Sequence, residues 1–225
     1  MTKVLIFDAG PIINFSINGM LDILEKLKNS FNGKFIITEA VKKEVVDHPI
    51  NVPRFELGAI RVQALIDKGV LELSSSLNID NEIITKETFR LMNIANHYIF
   101  SRGSWVNIMS DGEASCLALS NELNKKDIEN IIAIDERTTR ILAEKPENLQ
   151  KIISEKIHAN VKAELSNLEE FSNFRFIRST ELVYIAYKKG LLDIQGKKAL
   201  EAALYATKYK GSSVTFEEID EIKRL

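Results

Sequence analysis

Five acids stand where this chain could do chemistry: Asp8, Glu44, Asp111, Glu113 and Asp135. Asp8 closes the apolar run Val4–Phe7, and Asp135 closes the apolar run Asn130–Ile134. Glu44 falls on the helix expected after the run Lys34–Thr38, while Asp111 and Glu113 open the helix expected before Asn130. In an open parallel sheet, ligands bind outside the carboxyl ends of the strands, so elements that stop or start there share one crevice. Carboxylates crowded into a crevice repel one another, and at least one tends to take up a proton. A hard divalent cation removes that penalty, because Mg²⁺ and Mn²⁺ prefer oxygen ligands and retain several waters. Such a site suits metal-assisted phosphoryl chemistry, with a cation activating water and neutralising charge at the scissile phosphate.

Each acid also has a plain structural reading. Asp135 can cap a short helix over Arg137–Ala143. Ser110 and Glu113 have the S-x-x-E spacing of a capping box. Asp111 then falls in the first turn, where the helix dipole favours an acid. Glu44 can pair with nearby lysines for well under ~1 kcal/mol. Asp8 can accept hydrogen bonds from the Gly10-Pro11 turn. Four independent caps have no reason to meet at one sheet edge, so convergence separates the two readings.

The elements that must position these acids follow from hydrophobic pattern. Val4–Phe7, Lys34–Thr38 and Asn130–Ile134 are continuous apolar runs, as in parallel strands covered on both faces. Val70–Leu73 is a shorter third strand. An amphipathic stretch runs from Ile12 to Leu27, and Thr38 can cap a helix ended by His48-Pro49. Helices are expected over Arg54–Asp67 and Lys86–Phe100. After Arg137–Ala143 comes a charged helical segment over Glu147–Leu168, then a last strand Phe174–Ile177. Helices Thr180–Leu192, Lys197–Lys210 and Phe216–Arg224 close the chain. Alternating strands and helices predict an α/β fold, a three-layer α/β/α sandwich around a mainly parallel sheet with extra helices.

Composition narrows the class. In 225 residues, 45% are apolar and 28% charged, enough for a packed core. The net charge of −2 argues against a global positive field for non-specific nucleic-acid binding, and leaves room for a local basic patch. The N-terminus reads as a core strand rather than a signal peptide. No apolar run approaches the roughly 20 residues that span a bilayer. The single cysteine, Cys116, allows no internal disulfide and fits a reducing, cytoplasmic setting.

Taken together, the acidic motifs resemble the PIN-domain superfamily of metal-dependent nucleases. VLIFDAGPIINF (Val4–Phe15) resembles its first motif, an apolar strand ending in Asp before small residues. FIITEAVKKEV (Phe35–Val45) resembles the second, with Glu44 as its acid. DGEASCLALSNEL (Asp111–Leu123) resembles the third, and IIAIDERTTRILA (Ile131–Ala143) the fourth. The resemblance covers roughly residues 2–143. It implies a nuclease core over 1–145 with a helical insertion at about 51–109, and a C-terminal helical extension over 146–225 packed on that core. Carried over, Asp8, Glu44, Glu113 and Asp135 form the acidic set. Either Asp111 or Glu113 can match the third motif's acid, with Glu113 aligning better and Asp111 assisting as a metal ligand. Thr38, Asn14 and Thr138 are candidates for the polar residue that such sites carry, and Arg137 or Arg140 for a phosphate contact. The implied activity is Mg²⁺- or Mn²⁺-dependent hydrolysis of single-stranded RNA, leaving a 5′-phosphate. The resemblance also implies partners: RNA, a protein antitoxin if the chain is the toxin of a toxin–antitoxin pair, and a second copy in a homodimer. Most such toxins are shorter than this chain. A module that binds RNA or protein without cutting is the alternative, and its expected mark is loss of one or more acids, whereas all four places are filled here.

Other signals are weaker. HYIFSRGSWVN (His97–Asn107) mixes aromatics with Arg102; it reads as a base-stacking loop or as an aromatic cap on the core. Lysine pairs at Lys42-Lys43, Lys188-Lys189 and Lys197-Lys198 fit a solvated helix face better than a phosphate track. His48, His97 and His158 lack zinc-ligand spacing. There is no phosphate-binding GxxxxGK[ST] loop and no GxSxG elbow. A haloacid-dehalogenase-like opening would need Asp where Gly10 stands.

Overall fold

The structure, a computed structural model, describes residues 3–163 and 168–225. The apolar runs become parallel strands: β1 (Lys3–Phe7), β2 (Gly33–Ile37) and β3 (Glu72–Leu73). Further along come β4 (Ile99–Ser101), β5 (Ser104–Trp105), β6 (Asn130–Ala133), β7 (Lys162–Ala163) and β8 (Phe176–Ile177). The main sheet has five strands in the order β3-β2-β1-β6-β8, every neighbour parallel. β1 lies at its centre, with Leu5 opposite Phe35 on one side and Ile131 on the other. Ile6, Phe7, Ile36, Ile37 and Ile132 are fully buried, as strands covered on both faces require.

The helices are α1 (Ala9–Ile17), α2 (Asp22–Ser30), α3 (Glu39–Lys42), α4 (Pro53–Asp67), α5 (Asn81–Asn96) and α6 (Asp111–Lys125). They continue with α7 (Arg137–Glu144), α8 (Leu149–Ile157), α9 (Ser179–Lys188), α10 (Lys197–Tyr209) and α11 (Phe216–Arg224). One layer is α6, lying on β1 and β6 with α5 packed against it. The other holds α1 and α2, each in contact with α9, and α10 packed on α9. This is the three-layer α/β/α sandwich. Segments after residue 145 are woven into it, since β8 forms one edge of the main sheet.

Some boundaries differ from expectation for local reasons. The stretch Ile12–Leu27 splits into α1 and α2, because Gly19 takes φ +69° at the break. Over Glu147–Leu168 the described residues form the end of a 3-10 turn (Pro146–Asn148), α8 and then β7, which pairs antiparallel with β4; residues 164–167 of that expectation lie outside the described residues. His97–Asn107 is a tight hairpin whose two turn residues, Arg102 and Gly103, both have positive φ, the geometry that matches strand twist. Tyr98 and Ile99 are buried, while Phe100 and Trp105 pack edge to face at 5.1 Å on its outer side.

Candidate functional site

Strand order reverses direction at β1: β2 and β3 lie on one side, β6 and β8 on the other. The crevice at such a switch point opens between the carboxyl ends of the two diverging strands. Asp8 follows β1 and Asp135 follows β6, so the topology alone delivers two acids to it. The Asp8 N–H extends the pairing by donating to the Ala133 carbonyl at 2.9 Å. Gly10 lies between the two side chains: a Cβ there would stand 3.3 Å from Asp8 Oδ2 and 3.5 Å from Asp135 Cβ.

Asp8 is the N-cap of α1, accepting the Gly10 N–H at 3.1 Å. It is also 5% exposed, and its charge is disfavoured. Burial first, then the nearby Glu113 and more weakly Glu44, push its carboxyl up to about 7 against the pull of the Gly10 and Ala9 N–H groups. Capping and electrostatic crowding coexist at this residue.

Asp135 is 3% exposed and held by three elements. Its Oδ1 accepts the Ser179 N–H, the first of α9, at 2.9 Å, and its Oδ2 accepts from Asn14 Nδ2 at 3.3 Å. Its carbonyl accepts the Ser213 N–H at 3.2 Å. Burial raises its pKa in spite of those donors. Its expected role as cap of α7 falls to Glu136, which accepts from Thr138 N and Oγ1.

Glu44 sits where α3 widens into a π-turn over Lys43–Asp47. Such turns occur mostly as single-turn insertions, frequently at functional sites. The turn aims Glu44 at the start of α6, where Oε1 accepts the Gly112 N–H at 3.2 Å. Glu113 completes the capping box with Ser110 and accepts Thr139 Oγ1 at 2.7 Å. Burial is the first cause raising both Glu44 and Glu113, with nearby acids adding to it. Asp111 is exposed in the first turn of α6, and its charge acts on Glu44. Beneath the cluster, the buried Cys116 thiol is pushed well above its usual range by burial and then by Asp8, Glu44 and Glu113.

Adjacent acids are neutralised: Asp47 pairs with Lys42 at 3.1 Å and Glu136 with Lys156 at 3.3 Å. Among the described residues, none of Asp8, Glu44, Asp111, Glu113 and Asp135 forms an ion pair. Among the same residues, no group of three or more His, Cys, Asp or Glu side chains is arranged to hold a metal ion. Mg²⁺ does not demand such a group, since it keeps several waters and is commonly bound through one or two carboxylates plus substrate phosphate. Unpaired buried oxygens with raised pKa values are the donor chemistry that a hard cation takes.

The remaining candidates divide. Asn14 is fully buried and orients Asp135, with its Nδ2 also donating to the Thr207 carbonyl at 2.8 Å. Thr38 is buried, with its hydroxyl between Val41 N and Ser115 Oγ, so it ties α3 to α6. Thr138 bonds Glu136. Arg137 is exposed, and Arg140 donates to the Ser213 carbonyl and hydroxyl at 3.1 and 3.0 Å. Both line a groove of about 750 Å³ between α7, α8 and the start of α11. Three contributors were missed from sequence: Thr139, Ser179 and Gly112. Only Gly112 carried a signal, as the small residue between two acids.

No family model, curated protein or solved structure matches the chain. No helix among the described residues is long and apolar enough to cross a membrane.

Proposed function

We propose that this chain is a divalent-metal-dependent nuclease acting on single-stranded RNA. The observation that carries this reading is the placement of Asp8 and Asp135 on either side of Gly10 at the switch point of a parallel sheet, with Glu113 and Glu44 near enough to raise Asp8; among the described residues none of the four forms an ion pair. Asp8 and Asp135 would hold a Mg²⁺ or Mn²⁺ ion, with Asp111 at the rim. When bound, the ion supplies an activated water and neutralises charge on the scissile phosphate.

Every other role belongs to the chain. Asn14 and the Ser179 N–H fix the Asp135 carboxylate, as binding geometry requires. Glu44 and Glu113, poised above the usual carboxylate range, accept the proton of the attacking water or orient that water. Arg137 and Arg140 steady the substrate phosphate from the groove between α7, α8 and the start of α11. A toxin role with a protein antitoxin and a homodimer extend this reading through the family resemblance, and the single cysteine, Cys116, supports a cytoplasmic setting.

The test is cleavage of single-stranded RNA with Mn²⁺ by the native chain and by Asp8→Asn. Undiminished metal-dependent cutting by the variant refutes the assignment. The alternative is a PIN-like module that binds RNA or protein without cutting, and it draws on there being no ready-made trio of ligands among the described residues. Calorimetry separates the two, because a chain with no Mn²⁺ affinity is the module.

A further inference from the structure

The acid cluster opens onto a second cleft of opposite character. Where α1 crosses α4 the helices approach closely, and a Cβ on Gly58 would lie 2.9 Å from Ser16 Oγ. Beside that crossing runs a cleft of about 410 Å³ walled by Ile13, Ile17, Phe55 and Leu57, with Glu44 among its lining residues. Glu44 therefore belongs both to the carboxylate cluster and to the cleft. The walls are unusually apolar for surface: Ile17 is 54%, Phe55 45% and Leu57 62% exposed. Exposed apolar area concentrated in this way marks a binding surface.

Charge identifies the occupant. The cations on the cleft are Arg54 and Arg61, both exposed, and among the described residues neither forms an ion pair. Arg54 lies over the Phe55 ring, 4.4 Å from its centroid. Two free guanidinium groups bordering an apolar, aromatic wall suit a ligand that is anionic along one side and flat and apolar on the other. An unpaired nucleotide has that form: its phosphates take arginine forks and its base stacks on a ring. In a duplex the base faces are already stacked and so are withheld from such a wall.

We propose that the α1–α4 cleft seats an unpaired base next to the carboxylate cluster, with Arg54 and Arg61 contacting the flanking phosphates. This rests on the nuclease reading for the identity of the neighbouring site, and it makes preference for single strands a property of the cleft.

The test is fluorescence anisotropy of a labelled single-stranded oligoribonucleotide in EDTA, with the full chain. Phe55→Ala is expected to weaken binding about tenfold, and Phe55→Leu, which keeps apolar bulk, to weaken it nearly as much. Arg54→Ala with Arg61→Ala should flatten the dependence of log affinity on log salt by about two phosphate contacts. Phe89→Ala, an exposed ring on α5, serves as the control and should change nothing. Unchanged affinity in the Phe55 and arginine variants overturns the proposal, whatever Asp8→Asn does to cleavage. Weakened binding in those variants upholds the cleft even if Asp8→Asn cuts normally and the nuclease reading falls. If Leu57→Glu converts a dimer to a monomer in sedimentation while oligonucleotide affinity stays constant, the wall is an interface between copies and the proposal is wrong.

Discussion

Glu44 Oε1 accepts the Gly112 N–H at 3.2 Å, and a Cβ on Gly112 would stand 2.5 Å from that same oxygen. The glycine is what lets the carboxylate reach the start of α6. Gly112→Ala should therefore evict the Glu44 carboxylate without disturbing the fold. The displaced atom ends a flexible side chain, and Ala is about 1 kcal/mol better than Gly in a helix. The expected result is a melting temperature close to native, the gain from Ala offset by the acceptor lost to the residue-112 N–H, with RNA cleavage down on the order of a hundredfold. Cleavage at the native rate would show that Glu44 needs no such placement.

Asp8 sets a pH signature on stability. Its carboxyl is held at about 7 in the folded chain against an ordinary value of 3.8, so folding disfavours its charged form. Stability on this account is complete below the ordinary value and falls as pH rises through about 7, by a few kcal/mol. Asp8→Asn keeps an acceptor for the Gly10 N–H and carries no charge. In EDTA the native chain should melt lower at about pH 8 than at about pH 5, and the variant should lose part of that difference, the rest belonging to Glu44, Glu113 and Asp135. Parallel melting curves for the two proteins would show that Asp8 is not the group responsible.

Divalent cations should act in the opposite sense. Mn²⁺ at about a hundred times its dissociation constant stabilises by roughly 2.7 kcal/mol, and more of the site is deprotonated at higher pH. The thermal shift should grow from acid to neutral pH and should vanish in Asp135→Asn. A shift that persists in both Asp8→Asn and Asp135→Asn would place the cation elsewhere.

Asn14 is predicted to be a positioning residue. Asn14→Ala removes a donor from Asp135 Oδ2 and from the Thr207 carbonyl, both buried. Leaving a buried acceptor unsatisfied costs about 1–3 kcal/mol. Melting temperature should fall accordingly, and cleavage should fall further than stability explains, with the pH optimum displaced as Asp135 changes its proton affinity. A loss of stability alone, with native cleavage by the folded fraction, would make Asn14 a core residue only.

The sheet and its acids were legible because continuous apolar runs and a terminal Asp are local patterns. Val4–Phe7 and Asn130–Ile134 identified β1 and β6, and with them Asp8 and Asp135. The partners of those acids were not legible. Ser179 reaches Asp135 only because β8 pairs parallel to β6, and nothing near Asp135 in sequence encodes that pairing. Thr139 rather than Thr138 meets Glu113 because the orientation of α7 is set by packing. Likewise, the π-turn that aims Glu44 arises from a backbone insertion that no hydrophobic period reveals. The two-residue β7 fell inside a stretch whose charge reads as helix, since its strand character comes wholly from pairing with β4.

Asp135 is gripped by α9, by the loop at Ser213 and, through Asn14, by the backbone of α10. A fragment stopping soon after α7 would retain four strands of the main sheet and the Asn14 contact to Oδ2, but lose the Ser179 N–H that holds Oδ1 and the Ser213 N–H on the Asp135 carbonyl. The acidic motifs and the terminal third of the polypeptide are thus joined at Asp135, and a chain trimmed to its motif-bearing portion would lack two of the three elements that hold that residue.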